Sequence, residues 1–165
     1  MQNEVEIRDL QTMSYSECWD LQRSLFDALC TKKLNKAFQE GEPRGTILIV
    51  EHPAVYTLGK SGHAENMLCS KEYLESLGAE FYHIDRGGDI TFHGPGQVVG
   101  YPILDLEQVG IGLREYIDSI EGAVIDLCAE YGIVAGRVEG ASGVWLDGGT
   151  SRARKICAIG VKSSR

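Results

Sequence analysis

The 165-residue chain has no C-x-x-C pair among its five cysteines, Cys18, Cys30, Cys69, Cys128 and Cys157. An odd number of thiols without that spacing argues against a disulfide framework and against a zinc site, so no metal is expected. No segment approaches eighteen consecutive apolar residues, so no membrane-spanning helix is predicted. The start, MQNEVEIRDL, lacks the basic and apolar regions of a secretory signal. Positive charge is also short: the formal net charge is −8, which disfavours nucleic acid as a partner. These absences point to a reduced, cytoplasmic protein of one domain, long enough to bury a core without covalent staples.

The basic residues that are present are unevenly placed. The segment TSRARKICAIGVKSSR, from Thr150 to the end, holds five of the sixteen and no acidic residue. Residues 1–149 therefore carry eleven basic against twenty-four acidic side chains. Taken alone, this is a solvated hairpin followed by a frayed end; it gains interest only if the segment also carries chemistry.

The pattern along the chain is one of alternating elements. VEIRDL alternates like a strand. Ser14 and Glu17 read as a capping box ahead of a helical stripe of Tyr15, Cys18, Leu21, Leu25 and Leu29. GEPRG ends that helix, and TILIVEHP and AVYTLGK read as two strands separated at a proline. A short helix around KEYLESLG stops at Gly78. EFYHID, ITFH and VVGYPILDL are strand-like. Leu113, Tyr116, Ile117, Ile120, Val124, Leu127 and Tyr131 form a second long stripe, closed by Gly132. GVWLD and KICAIGVK then flank the loop GGTSRAR as a hairpin. The expected fold class is α/β (α+β), a mixed β-sheet flanked by helices.

Residues 86–102, RGGDITFHGPGQVVGYP, pack five glycines and two prolines into seventeen positions around Arg86 and His93. Dense glycine marks positive φ or close approach of the backbone to something else. No G-K-[ST] follows these glycines, so the stretch is not a phosphate-cradling Walker loop. Nor does it have the G-x-G-x-x-G spacing that leads into a helix. GPGQ suits a tight turn, with Pro95 presetting φ and Gly96 free to take φ above zero. RGG leaves the backbone bare beside Arg86. A lone histidine is usually structural and a lone arginine usually a surface ion pair. Their placement at the two ends of one glycine-bracketed segment favours a functional reading.

RGGDITFHGPGQVVGYP resembles the signature of the octanoyltransferases of lipoate biosynthesis. EHPAVYTLGKSG at 51–62, ENML at 65–68, GVW at 143–145 and KICAIGV at 155–161 agree with it. The resemblance implies a fold shared with the catalytic domains of biotin and lipoate ligases. It also implies transfer of an octanoyl or lipoyl group, without a cofactor, from acyl carrier protein to a lysine of a lipoyl domain. The acceptors would be the lipoyl domains of 2-oxoacid dehydrogenase E2 subunits and the glycine cleavage H protein. On this resemblance Arg86, Gly87, Gly88, Asp89, Ile90, Thr91, Phe92 and His93 line the acyl pocket. Ala158, Ile159 and Gly160 supply backbone contacts to the acyl carbonyl, and Lys155 lowers the pKa of a cysteine nucleophile and relays its proton. The family's cysteine lies in a P-C-G type motif a few dozen residues beyond that lysine. Residues 1–165 are accordingly expected to be one catalytic domain with its C-terminal part absent, inactive by itself. Cys157, two residues after Lys155 and expected on the same strand face, reads as a small core residue. Two alternatives remain: an ATP-dependent lipoate or biotin ligase, whose histidine motif continues H-D-x-G-N where this chain has HGPGQ, and a non-catalytic module that binds acyl groups or carrier domains.

Overall fold

A computed structural model of the chain describes residues 5–39 and 41–164. The backbone divides into two compact units, Met1–Val109 with Val161–Arg165, and Gly110–Gly160.

In the first unit, α1 (Tyr15–Leu34) begins where expected, with the Glu17 amide donating to Ser14 Oγ at 3.3 Å. The reciprocal half of the capping box takes another form. Glu17 accepts the Ser14 hydroxyl proton at 2.6 Å, so carboxylate and hydroxyl hold each other at the helix start. Tyr15 and Cys18 are the fully buried residues of the helix.

Strands β1 (Glu6–Thr12), β2 (Gly45–Glu51) and β6 (Val99–Leu104) form one sheet in the order β1-β2-β6. β1 runs parallel to β2 and β6 antiparallel to it. β2 is central, and Thr46, Leu48 and Val50 alternate into the core. Pro102 sits in β6, which as an edge strand can spare the missing donor.

The second sheet has the order β4-β3-β5, from β3 (Val55–Leu58), β4 (Glu80–His83) and β5 (Ile90–His93). Again one pair is parallel and one antiparallel. The short helix α2 (Lys71–Ser76) precedes β4, and Gly78 after it takes φ +71°. A single-turn helix, α3 (Leu106–Val109), follows β6.

The second unit is built from α4 (Leu113–Glu130) and an antiparallel sheet β7-β8-β9. Its strands are β7 (Gly136–Val138), β8 (Ala141–Leu146) and β9 (Arg154–Cys157). The α4 stripe is rotated from the expected one: Leu127 and Tyr131 are exposed, while Glu121 and Cys128 are the buried residues.

The α/β class holds, with mixed pairing in two sheets. The strands are divided among three sheets of three instead of one. KICAIGVK is a strand only through Cys157; residues 158–164 have no regular structure.

Candidate active site

The RGGD segment packs closely against a second loop of the first unit, and Gly59 on that loop permits the approach. A Cβ placed on Gly59 would fall 2.3 Å from the Gly88 carbonyl oxygen and 2.9 Å from that of Arg86. The Lys60 amide donates to Arg86 O at 2.9 Å. Gly88 itself has φ +97°, a conformation that side chains rarely adopt. The segment 59–66 is thus laid directly on 86–91, backbone against backbone.

Arg86 binds this structure together from inside. Its guanidinium donates to the carbonyls of Gly87 at 2.6 Å and Asp89 at 3.1 Å. It also donates to the Thr91 hydroxyl at 3.0 Å. The Asp89 carboxylate accepts the His63 amide at 3.1 Å and the Asn66 side-chain amide. With the Ile90 amide as the largest cause, these donors hold the Asp89 carboxyl below its usual range. Both charged groups of the motif are therefore engaged within the chain, and what the loop presents is mainly backbone and the β5 side chains.

On β5, Thr91 and His93 share one face, and Ile90 and Phe92 the other. Phe92 packs on Tyr56 with centroids 4.9 Å apart and stays 47% exposed. His93 lies among aromatic rings: parallel to Tyr15 at 6.2 Å and edge-on to His52 at 5.9 Å. Its Nδ1 donates to Gln97 Oε1 at 2.6 Å, and the Gln97 amide nitrogen donates back to Phe92 O at 3.4 Å. Gln97 reaches His93 because GPGQ is the expected turn, with the Gln97 amide on Gly94 O and Gly96 at φ +85°. Burial pulls the His93 pKa below its ordinary value, and the positive charge of Arg86 acts in the same direction against the Gln97 hydrogen bond. The ring is neutral near pH 7, with Nε2 carrying a lone pair.

His52, fully buried, has a fixed tautomer. Nδ1 donates to Met13 O at 2.8 Å, so Nε2 accepts the Tyr101 hydroxyl proton at 3.0 Å. Burial pushes the Tyr15 phenol up to about 12, and that of Tyr101 up as well.

The second group of expected residues lies in the second unit. β8 and β9 pair Val144 with Cys157 and Trp145 with Lys155, leaving Ile156 as an extra, bulged residue. Val144 and Trp145 are adjacent and point to opposite faces, so the bulge separates Lys155 from Cys157. This corrects the expectation that the two share a face. Lys155 Nζ sits 4.5 Å from the Trp145 ring centroid. Cys157 is half-buried, and burial, Glu121 and Cys128 together raise its thiol pKa, with only Lys155 opposing. Ala158, Ile159 and Gly160 follow β9 outside regular structure, Ala158 and Gly160 exposed and Ile159 half-buried.

One residue of this unit went unnoticed in the motifs. Glu121, 5% exposed, accepts the Gly143 amide at 2.8 Å through Oε1 and Arg137 Nε at 2.8 Å through Oε2. Its signal was available: it stands four residues after Ile117 and three before Val124, on the apolar stripe of α4. A carboxylate there must be paired.

The basic segment is partly neutralised. Arg154 pairs with Asp147 at 3.1 Å and Lys162 with Asp85. Arg165 lies outside the described residues. A cavity of about 180 Å³ lies between α1 and the first sheet, and an open hollow of about 480 Å³ runs along residues 147–154. Neither is lined by the segment Arg86–His93.

A family model of the lipoyl protein ligase A/B catalytic domain matches residues 14–165. An octanoyltransferase from Bacteroides fragilis is 58% identical over 156 residues, covering 94% of this chain and 69% of its own length. One from Christiangramia forsetii is 50% identical, covering 100% of this chain and 71% of its own. The chain belongs to the lipoyl protein ligase A/B catalytic domain family. Solved members of the lipoate ligase group share its fold at low identity. A bipartite lipoate protein ligase from Thermoplasma acidophilum aligns at TM-score 0.58 and 17% identity, over 94% of this chain and 55% of that one. A lipoate-protein ligase A bound with ATP aligns at 0.51 and 15%, over 84% and 51%. The chain therefore spans about half the length of these ligases, and the likeness to them concerns the fold. The expected family and fold are both met.

Proposed function

We propose that the chain carries the acyl-handling residues of an octanoyltransferase of lipoate biosynthesis. The observation that carries this reading is the 58% identity to a relative of that name over 94% of this chain. The donor is octanoyl-acyl carrier protein and the acceptor a lysine of a lipoyl domain, on 2-oxoacid dehydrogenase E2 subunits or the glycine cleavage H protein, in the cytoplasm.

The reaction has two balanced steps. A cysteine thiolate attacks the donor thioester carbonyl, the bond to the carrier sulfur breaks, and the carrier leaves as a thiol with one proton. The acceptor amine then attacks the enzyme thioester, loses a proton, and releases the cysteine. No oxidant or nucleotide is consumed, because the donor is already activated, and splitting the transfer through a thiolate makes each step easier. Lys155 is the group that stabilises the thiolate and relays the proton from incoming amine to leaving thiol. The backbone amides of Ala158, Ile159 and Gly160 polarise the acyl carbonyl. Arg86 and Asp89 act by holding the loop, and Ile90, Thr91, Phe92 and His93 with the bare backbone of Gly87 and Gly88 face the acyl chain. Cys157 has the wrong face and a raised pKa for the nucleophile, which we place outside residues 1–165.

A ligase reading draws on the ATP-bound structure of similar fold. The test separates them. The natural enzyme is incubated with octanoyl-carrier protein and a lipoyl domain in the absence of ATP, and octanoylation is followed by intact mass. Transfer without ATP is the expected result; strict dependence on ATP and free octanoate overturns the transferase.

A further inference from the structure

Lys155 differs from its basic neighbours in how it is held. Arg154, next to it, pairs with Asp147, and Lys162 with Asp85, whereas among the described residues Lys155 is in no ion pair. Its ammonium lies instead over the Trp145 ring, 4.5 Å from the centroid. The placement follows from register. Lys155 is directly opposite Trp145 and diagonal to Gly143, two residues earlier on the same face. A Cβ on Gly143 would be 3.5 Å from Lys155 Cδ and 2.3 Å from Cys157 O, so the lysine stem runs past a position that has no side chain. The indole Nε1 of Trp145 is buried and has no hydrogen-bond partner, so the ring's polar edge is turned away from solvent.

We infer that Trp145 is the positioning residue for the Lys155 ammonium. This rests on the role given to Lys155 above. A ring face attracts the cation without taking a hydrogen bond from it, so all three N–H donors stay free. A carboxylate in the same place would orient the lysine equally well but would occupy its protons. For a group that must pass protons between two partners, the ring is the better support.

The test uses isotopically labelled lysine in the 165-residue chain and the same substitutions in the natural enzyme. In the wild type the Lys155 ε-methylene protons are shifted upfield by the indole ring current. The shift persists in part in Trp145→Phe and vanishes in Trp145→Leu. In octanoyl transfer, Trp145→Leu lowers kcat about two- to fivefold with KM for the carrier unchanged, and Trp145→Phe restores most of it. Unshifted ε-methylene protons in the wild type overturn the placement, and this arm does not depend on any variant folding. A ring-current shift with unaltered kcat in Trp145→Leu, while Lys155→Ala is inactive, overturns the inference and leaves the lysine's role intact. Full activity of Lys155→Ala overturns the role itself.

Discussion

Gly59 and Gly88 lie backbone to backbone, close enough that a single methyl on Gly59 would stand 2.3 Å from the Gly88 carbonyl oxygen. The obstacle is main chain, held by Arg86 and Asp89, and cannot swing aside. Gly59→Ala is therefore expected to cost about 1–3 kcal/mol and to pull the 86–91 loop away from 59–66. Gly100→Ala is the control, since its Cβ meets nothing nearer than Ile49 Cδ1 at 3.9 Å. Urea midpoints of the two variants check this; equal stability would mean the loops are not packed as described.

Much of this fold was legible in the sequence, and the gaps have identifiable causes. Ser14, Gly78 and Gly132 marked helix ends because capping and positive φ are local demands. β7 was missed because three residues, Gly-Arg-Val, are too short to show a period. The bulge at Ile156 could not be read, since alternation along one strand says nothing about a residue added against its partner. It misplaced Cys157 relative to Lys155. The motif around Arg86 and His93 was found, but the charged residues' partners were not: Arg86 looked available for substrate, and only the folded loop shows its donors turned inward.

Glu121 is buried and bonded on both oxygens, so its two partners can be separated by substitution. Glu121→Ala leaves the Gly143 amide without an acceptor, a loss of about 2–3 kcal/mol. Glu121→Gln keeps an oxygen for that amide and loses only the charge opposite half-exposed Arg137, costing about 1 kcal/mol. Thermal denaturation of both should give that order. An equal loss would shift the importance from the Gly143 hydrogen bond to the ion pair.

The His93 imidazole has its pKa lowered on folding, mainly by burial. The unfolded chain therefore binds this proton more readily than the native one. The contribution is complete above the unfolded value of about 6.5 and is lost as pH falls from there through the lowered native value. An NMR titration of His93 should show a midpoint below about 6.5. Gln97→Glu puts a carboxylate on Nδ1–H and should move that midpoint upward. A midpoint at or above the ordinary value in the wild type would contradict the buried, neutral ring.

Arg152 and Arg154 both line the open hollow along residues 147–154. Acidic carrier and lipoyl domains docking there would feel these charges through solvent. Reversing both to Glu in the natural enzyme is expected to raise KM for the carrier more than it lowers kcat. Added salt should have the same effect as the Debye length shrinks from ~10 Å to ~3 Å. An unchanged KM would make these residues ordinary solvated charges.

Cys157 is the one thiol near Lys155 in sequence, and the bulge and the burial both argue against its use. Burial, Glu121 and Cys128 raise its pKa, so at pH 8 it holds less thiolate than an ordinary cysteine. Iodoacetamide should alkylate it more slowly than a free thiol at that pH, and Glu121→Gln should speed the reaction by removing a nearby negative charge. Residues 1–165 mixed with octanoyl-carrier protein should show no mass increase of an octanoyl group at any of the five cysteines. The lysine opposes the rise in thiol pKa but does not overcome it, its ammonium being held on Trp145, on the face opposite the thiol. A hydroxylamine-sensitive octanoyl adduct mapped to Cys157 would reverse the assignment and make Cys157 and Lys155 the working pair.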